Sequence, residues 1–171
     1  MSKVEFFTSF KKLACNVNAV QAFQAFRVGW IKNRYIDQID KTLYSYGAVE
    51  IEKGASYKVA HKLYRQVVET EGMKNIRILP EIIRKTFDDE VEIDTEARPL
   101  KVGVVGELYA VVEPAINLDI MRRLNDIGVI TETPITFTRW IDLGQRMNPF
   151  KKWHYKACIN MQNHTLDILL E

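Results

Sequence analysis

The segment Leu100-Lys101-Val102-Gly103-Val104-Val105-Gly106 constrains this chain most: it is short, β-branched, apolar on both faces and closed by glycine. A strand apolar on both faces suits a parallel sheet, because the helical crossovers of a βαβ chain cover both sides. The segments that follow agree. Residues 117–127 place Ile120, Met121, Leu124 and Ile127 on one helical face and Arg122, Arg123 and Asp126 on the other, with Gly128 as the stop. Val129 to Phe137 alternates weakly around Pro134 and predicts a second strand. Strand, helix, strand on this scale is a βαβ unit of Rossmann type.

Upstream the period changes to that of a helix. Between Asn18 and Tyr46 the residues Val20, Phe23, Phe26 and Trp30, then Ile36, Ile39, Leu43 and Tyr46, recur at three- and four-residue steps, with Gly47 as the stop. Gly29 inside that run costs about 1 kcal/mol relative to alanine and marks a place for a kink or a close crossing. Ser56 is the expected N-cap of a second helix through Val59, Leu63, Val67 and Val68, ending near Gly72. A third helix runs through Ile76, Leu79, Ile82, Ile83 and Phe87, and Pro80 is expected to split it into a turn and a helix. The acidic alternation from Asp88 to Glu96 suits an exposed strand or linker. Past Phe137 the pattern is helical again, through Trp140, Ile141, Leu143 and Met147, then Trp153, Ala157, Cys158 and Met161. The expected fold is α/β: a helix-rich N-terminal half, a small Rossmann-like parallel βαβ unit and C-terminal helices. Residues 1–95 form the helical segment and 96–171 the remainder, either as one compact unit or as a fragment of a larger protein. A two-stranded sheet is too small to stand alone, so helices, further sequence or a second copy must cover it.

Composition narrows the function classes. The 171 residues carry 24 Lys+Arg against 22 Asp+Glu, a balance that gives no reason to expect nucleic acid or an anionic membrane. The most apolar stretch, Val102 to Val112, is interrupted by Gly103, Gly106 and Glu107 and falls short of the ~20 residues of a membrane helix. The N-terminus lacks the apolar core of a signal peptide. Cys15 and Cys158 are far apart, no CxxC pair exists, and His61, His154 and His164 are scattered, so no metal site is expected from this chain alone. Two such thiols fit a reducing cytoplasm, with a disulfide as the alternative.

The tip of the first strand is the leading ligand candidate. In open α/β sheets ligands bind beyond the carboxyl ends of the strands, where backbone N–H groups and helix N-termini converge. Gly106 lets the backbone approach a ligand, Glu107 and Tyr109 are the first side chains projected from that edge, and Asn117 caps the helix that follows. Structural alternatives stand beside this reading: Gly103 for helix–sheet packing alone, Glu107 for satisfying loop N–H groups, Asn117 as a cap alone. The loop is neither GxGxxG nor a Walker P-loop, so a dinucleotide or nucleoside triphosphate is not indicated. Weaker constellations exist. The run Asp88–Glu96 lacks EF-hand spacing. Lys151, Lys152, His154 and Lys156 interleave with Trp153 and Tyr155 as a solvated helix face would, and His154 with Cys158 lacks a third orienting group.

The segment Arg98-Pro99-Leu100-Lys101-Val102-Gly103-Val104-Val105-Gly106-Glu107-Leu108-Tyr109, followed by Asn117 and Arg123-Leu124-Asn125-Asp126-Ile127-Gly128, resembles the 2-hydroxyacyl-CoA dehydratase-like proteins and CoA enzyme activase-related proteins. In that family a hydrophobic strand ending in Gly-Glu, with an aromatic residue after it, leads to an Asn-bearing helix. Phe26-Arg27-Val28-Gly29-Trp30 and Gly54-Ala55-Ser56 sit where such proteins carry helices before the strand. The likeness is close over residues 98–128 and looser from Val20 to Trp140, and it rests on one strand–loop–helix module rather than a catalytic signature. It implies Rossmann-like modules that handle acyl-CoA chemistry, with cysteine-ligated 4Fe–4S clusters reduced by an ATP-driven activator elsewhere in the system. Two cysteines cannot ligate such a cluster, and the cysteine-bearing segments of relatives lie further downstream than Glu171. Cluster binding and dehydration therefore do not carry over.

The expectation is a non-catalytic α/β segment of an acyl-CoA dehydratase/activase-related protein, serving ligand binding or assembly with other domains or subunits. The alternatives are a small-molecule enzyme with Glu107 as general base at the strand end, and a helical interaction module that docks a partner or a second copy.

Overall fold

The computed structural model describes residues 18–140. Helix α1 (Ala19–Tyr46) runs unbroken through Gly29; at its start Asn18 Oδ1 accepts from the Gln21 N–H at 2.8 Å while the Gln21 side chain accepts from the Asn18 N–H, a reciprocal capping box. Helices α2 (Ala55–Glu69) and α3 (Met73–Glu90) pack on it and on each other. Their shared core is Ile39 and Leu43 of α1, Val59, Ala60, Leu63 and Val67 of α2, and Ile76, Leu79, Ile83 and Phe87 of α3, closed by Val91. The apolar stripes read from the sequence meet here in the main, but Val20, Phe23 and Val68, which belong to those stripes, are 65%, 56% and 64% exposed.

Two starts and stops differ from expectation. Ser56 does not cap α2: Gly54 is the N-cap, and Ser56 lies buried inside the first turn. The cap comes from outside the local motif. The buried Glu50 carboxylate accepts from the N–H of Gly54 at 2.5 Å and of Ser56 at 2.7 Å, placing a negative charge on the positive end of the helix dipole. Pro80 does not split α3, which passes through it. The proline removes one N–H from the ladder at a cost of about 3 kcal/mol. Burial of Ile76, Leu79, Ile83 and Phe87 on the same helix offsets that loss.

The acidic run is also divided. Asp88 to Glu90 finish α3, so the expectation of an extended segment fails there; helix packing through Phe87 carries the last turn. Beyond Val91 it holds. Ile93 bridges Glu50 in antiparallel fashion, the Ile51 N–H donates to Glu92 O at 2.9 Å, and the Asp94 N–H donates to Val49 O at 2.8 Å.

The second half holds β1 (Leu100–Gly103) and β2 (Val129–Glu132), paired in parallel with Leu100 opposite Val129 and Gly103 opposite Glu132. Between them come three short helices, α4 (Leu108–Val112), α5 (Pro114–Asn117) and α6 (Ile120–Asp126). The coarser part of the α/β expectation is met: a parallel strand–helix–strand unit within a mostly helical chain. The burial expectation is not. Strand β1 is an exposed edge, with Leu100 67% accessible, because the described sheet ends there. The single helix expected from Asn117 begins only at Ile120, since Leu118 and Asp119 take left-handed backbone conformations (φ 57° and 54°) that break it. Ile127, expected inward, is 73% exposed, and Asn125 is buried in its stead. Gly128 does end the helix, with φ 80°.

Asn125 joins the two halves. Its Nδ2 donates to the carbonyls of Tyr44 (3.0 Å) and Val129 (2.8 Å), and its Oδ1 accepts from the Tyr57 hydroxyl at 3.4 Å. A Cβ at Gly47 would stand 3.2 Å from that Oδ1 and 3.0 Å from Leu43 O, so a side chain there would press on the junction. The C-terminal helices expected past Trp140 lie outside the described residues, as do Cys15, Cys158, His154 and the lysine-rich segment 151–156.

Candidate functional site

A cleft of about 810 Å³ opens at the carboxyl ends of the two strands, between them and α1. Gly103 and Val105 from the β1 tip, Thr131 to Thr138 from β2 and its continuation, and Asp37, Asp40, Lys41 and Tyr44 from α1 line it. The volume falls in the range of small-molecule sites, and parallel strands place such crevices at this end. The strand tip thus opens where the sequence pattern predicts a crevice.

None of the four candidates from the loop lines the cleft. Glu107 Oε2 accepts from the N–H groups of Tyr109 (2.8 Å) and Ala110 (3.3 Å), making Glu107 the N-cap of α4. Asn117 Nδ2 donates to Val111 O at 2.8 Å, and its Oδ1 accepts from the Ile120 N–H at 3.4 Å, so it ties α4 to the start of α6. A Cβ at Gly106 would meet Val111 Cγ2 at 3.2 Å. Tyr109 is 69% exposed.

The polar groups of the cleft come from elsewhere. Asp37 Oδ2 accepts from the hydroxyls of Thr136 (2.7 Å) and Thr138, which fastens the segment after β2 onto α1. One turn on, Asp40 Oδ1 accepts from the Tyr64 hydroxyl of α2. Burial pushes the Asp40 carboxyl up to about 6; the Tyr64 bond opposes that rise and the neighbouring Asp37 charge adds to it. Burial, with the Asp40 charge beside them, also raises the Tyr44 and Tyr64 phenols. Thr131 of β2 is 3% exposed, and its Oγ1 has no hydrogen-bond partner among the described residues. A carboxyl that titrates near neutrality beside an open cleft can exchange protons or hold a cation.

Sequence reasoning passes over these residues because they share no motif. Asp37 and Asp40 do leave a trace: each directly follows an apolar-stripe residue, Ile36 and Ile39, so both flank the face that packs inward. Nothing local marks the threonines. Among the described residues no group of three or more His, Cys, Asp or Glu side chains is placed to hold a metal, and no helix is long and apolar enough to cross a membrane. Comparison of the chain with protein-family models, curated proteins and solved structures gives no match.

Proposed function

We propose that this chain is a non-catalytic α/β segment of an acyl-CoA dehydratase/activase-related protein, whose role is assembly with further α/β sequence of the same system. The observation that carries the reading is the unfinished sheet. A parallel pair is marginal by itself, and among the described residues no strand pairs with the outer edge of β1. In this half Leu100, Tyr109, Ile116 and Leu118 are 67%, 69%, 59% and 70% exposed, apolar surface of the kind a neighbouring strand or helix would bury. The likeness of residues 98–128 to that family supplies the kind of neighbour: another Rossmann-like module, with any cluster cysteines carried there.

The commitment of Glu107 to capping α4 weighs against its serving as a general base. The test combines the gene with amide exchange. The reading frame beyond Glu171, or a partner gene, is expected to encode further α/β segments with cysteines. The β1 amides are expected to exchange fast in the 171-residue chain and slowly once that sequence is joined to it. If the β1 amides of the chain alone are as protected as those of α3, or the chain alone holds a stoichiometric iron–sulfur cluster after reconstitution, the reading is wrong.

A further inference from the structure

We propose that residues 114–126 are a two-state hinge, bent at Leu118–Asp119 in this structure and poised to straighten into one continuous helix, a change that re-spaces one wall of the cleft. The inference does not depend on the assembly reading; it rests on backbone geometry and helical register.

The bent form carries strain. Leu118 sits at φ 57°, ψ 34° and Asp119 at φ 54°, ψ 39°, two consecutive non-glycine residues in the left-handed region. Aspartate tolerates that region through its short polar side chain, whereas a bulky leucine does not. Burial gives little in exchange, since Leu118 is 70% exposed. The bend is held by Asn117, whose Nδ2 donates to Val111 O at 2.8 Å and whose Oδ1 accepts from the Ile120 N–H at a long 3.4 Å. The N–H groups of Leu118 and Asp119 both turn back to Pro114 O. Strain of this kind persists only where surrounding bonds impose it, and it collects at segments that switch.

The straight form is written in the sequence. No glycine or proline interrupts Ala115 to Ile127. Pro114 occupies the first helical position and Glu113 caps it by accepting from the Ala115 N–H, so a helix begun there has no local reason to stop at Asn117. Continued backwards, α6 would place Leu118 three residues before Met121 and seven before Asn125, on the stripe that those two buried residues occupy. Straightening would relieve two left-handed residues and carry a leucine onto the inward stripe, at the cost of both Asn117 side-chain bonds. Opposed changes of this kind leave two conformers close in free energy. The consequence falls on the cleft: Val111 and Val112 before the break and Met121 after it all line the cavity, so the bend sets how they are spaced.

The test compares the 171-residue chain with Leu118→Gly, Leu118→Ala and Asn117→Ala by melting temperature and NMR relaxation dispersion. The unsubstituted chain is expected to show microsecond-to-millisecond exchange at residues 116–122, with helical carbon shifts at 118 and 119 in its minor state. Glycine accepts the left-handed conformation and alanine does not, while both delete the same exposed side chain. Leu118→Gly should therefore melt about 2–4 °C above Leu118→Ala and suppress the exchange. Asn117→Ala should raise the minor population about threefold or more, and its own melt reports whether the fold survives. Leu118→Gly melting no higher than Leu118→Ala would show that the bend stores no strain and would overturn the proposal. An unsubstituted chain without exchange at 116–122, or with a minor state that is not helical at 118 and 119, would overturn it too. So would a folded Asn117→Ala variant whose minor population is unchanged.

Discussion

The two halves of the molecule are built on different terms. Residues 18–95 bury a continuous cluster in which Ile39, Leu63, Val67, Ile83 and Phe87 have no accessible surface. Residues 96–140 bury only Leu108, Val111 and Met121 among their large apolar side chains, and leave Leu100, Val105, Tyr109, Ile116, Leu118 and Ile127 open to solvent. The helical half is therefore held by its own core. The strand half is held by what it borrows: β2 against α1, the Asn125 junction, and the Asp37 bonds to Thr136 and Thr138. Stability concentrated in one half leaves the other free to present surface and a cleft.

The contrast can be broken most directly in the core. Phe87→Ala is expected to cost about 3–5 kcal/mol in denaturant unfolding, whereas Leu100→Ala should stay within about 0.5 kcal/mol. Comparable losses at the two sites would mean that the strand half is buried as deeply as the helices. Next in size is the junction. Asn125→Ala orphans the carbonyls of Tyr44 and Val129 and should cost roughly 2–4 kcal/mol. Amide exchange should then rise across residues 96–140 before it rises in α2 or α3; a uniform rise would show that the halves open together.

A smaller effect sharpens the account of the helical half. Glu50→Ala deletes the carboxylate that caps α2 and is expected to cost about 1–2 kcal/mol, with Glu50→Gln retaining part of the stability by keeping an oxygen acceptor. The smallest effect concerns pH. The folded-state pKa of Asp40, about 6, lies above its ordinary 3.8, so the native state binds this proton more tightly than the unfolded chain does. Ionisation of Asp40 therefore opposes folding, and acidification from pH 7 towards 5 should remove that opposition and raise stability. The gain is a fraction of ~1.4 kcal/mol for each pH step of one crossed below the folded-state value, because the side chain is only partly buried and Tyr64 bonds the ionised form. Asp40→Asn should lose this part of the slope; an unchanged slope would place its origin elsewhere.

The helices of the first half were legible because each buries a stripe whose period survives in the sequence, as Val59, Leu63 and Val67 do in α2. The parallel order of β1 and β2 was legible for a related reason: two short apolar runs separated by helical sequence have few other ways to pair. The crevice followed from strand polarity. Its chemistry did not, because Asp37, Asp40, Tyr64 and Thr131 come from three elements and meet only after the helices pack.

By itself the sequence determined periodicity, and with it the helices of the first half, the parallel strand pair and the stop at Gly128, since local steric preference and apolar spacing act over a few residues. Tertiary structure decided what depends on distant partners. Glu50 rather than Ser56 caps α2, Pro80 stays inside a helix, β1 is an edge, and two carboxylates share a cleft with an unmatched threonine. In each case the deciding energy, whether burial, desolvation or a hydrogen bond, belongs to a pair of groups that the chain brings together only by folding.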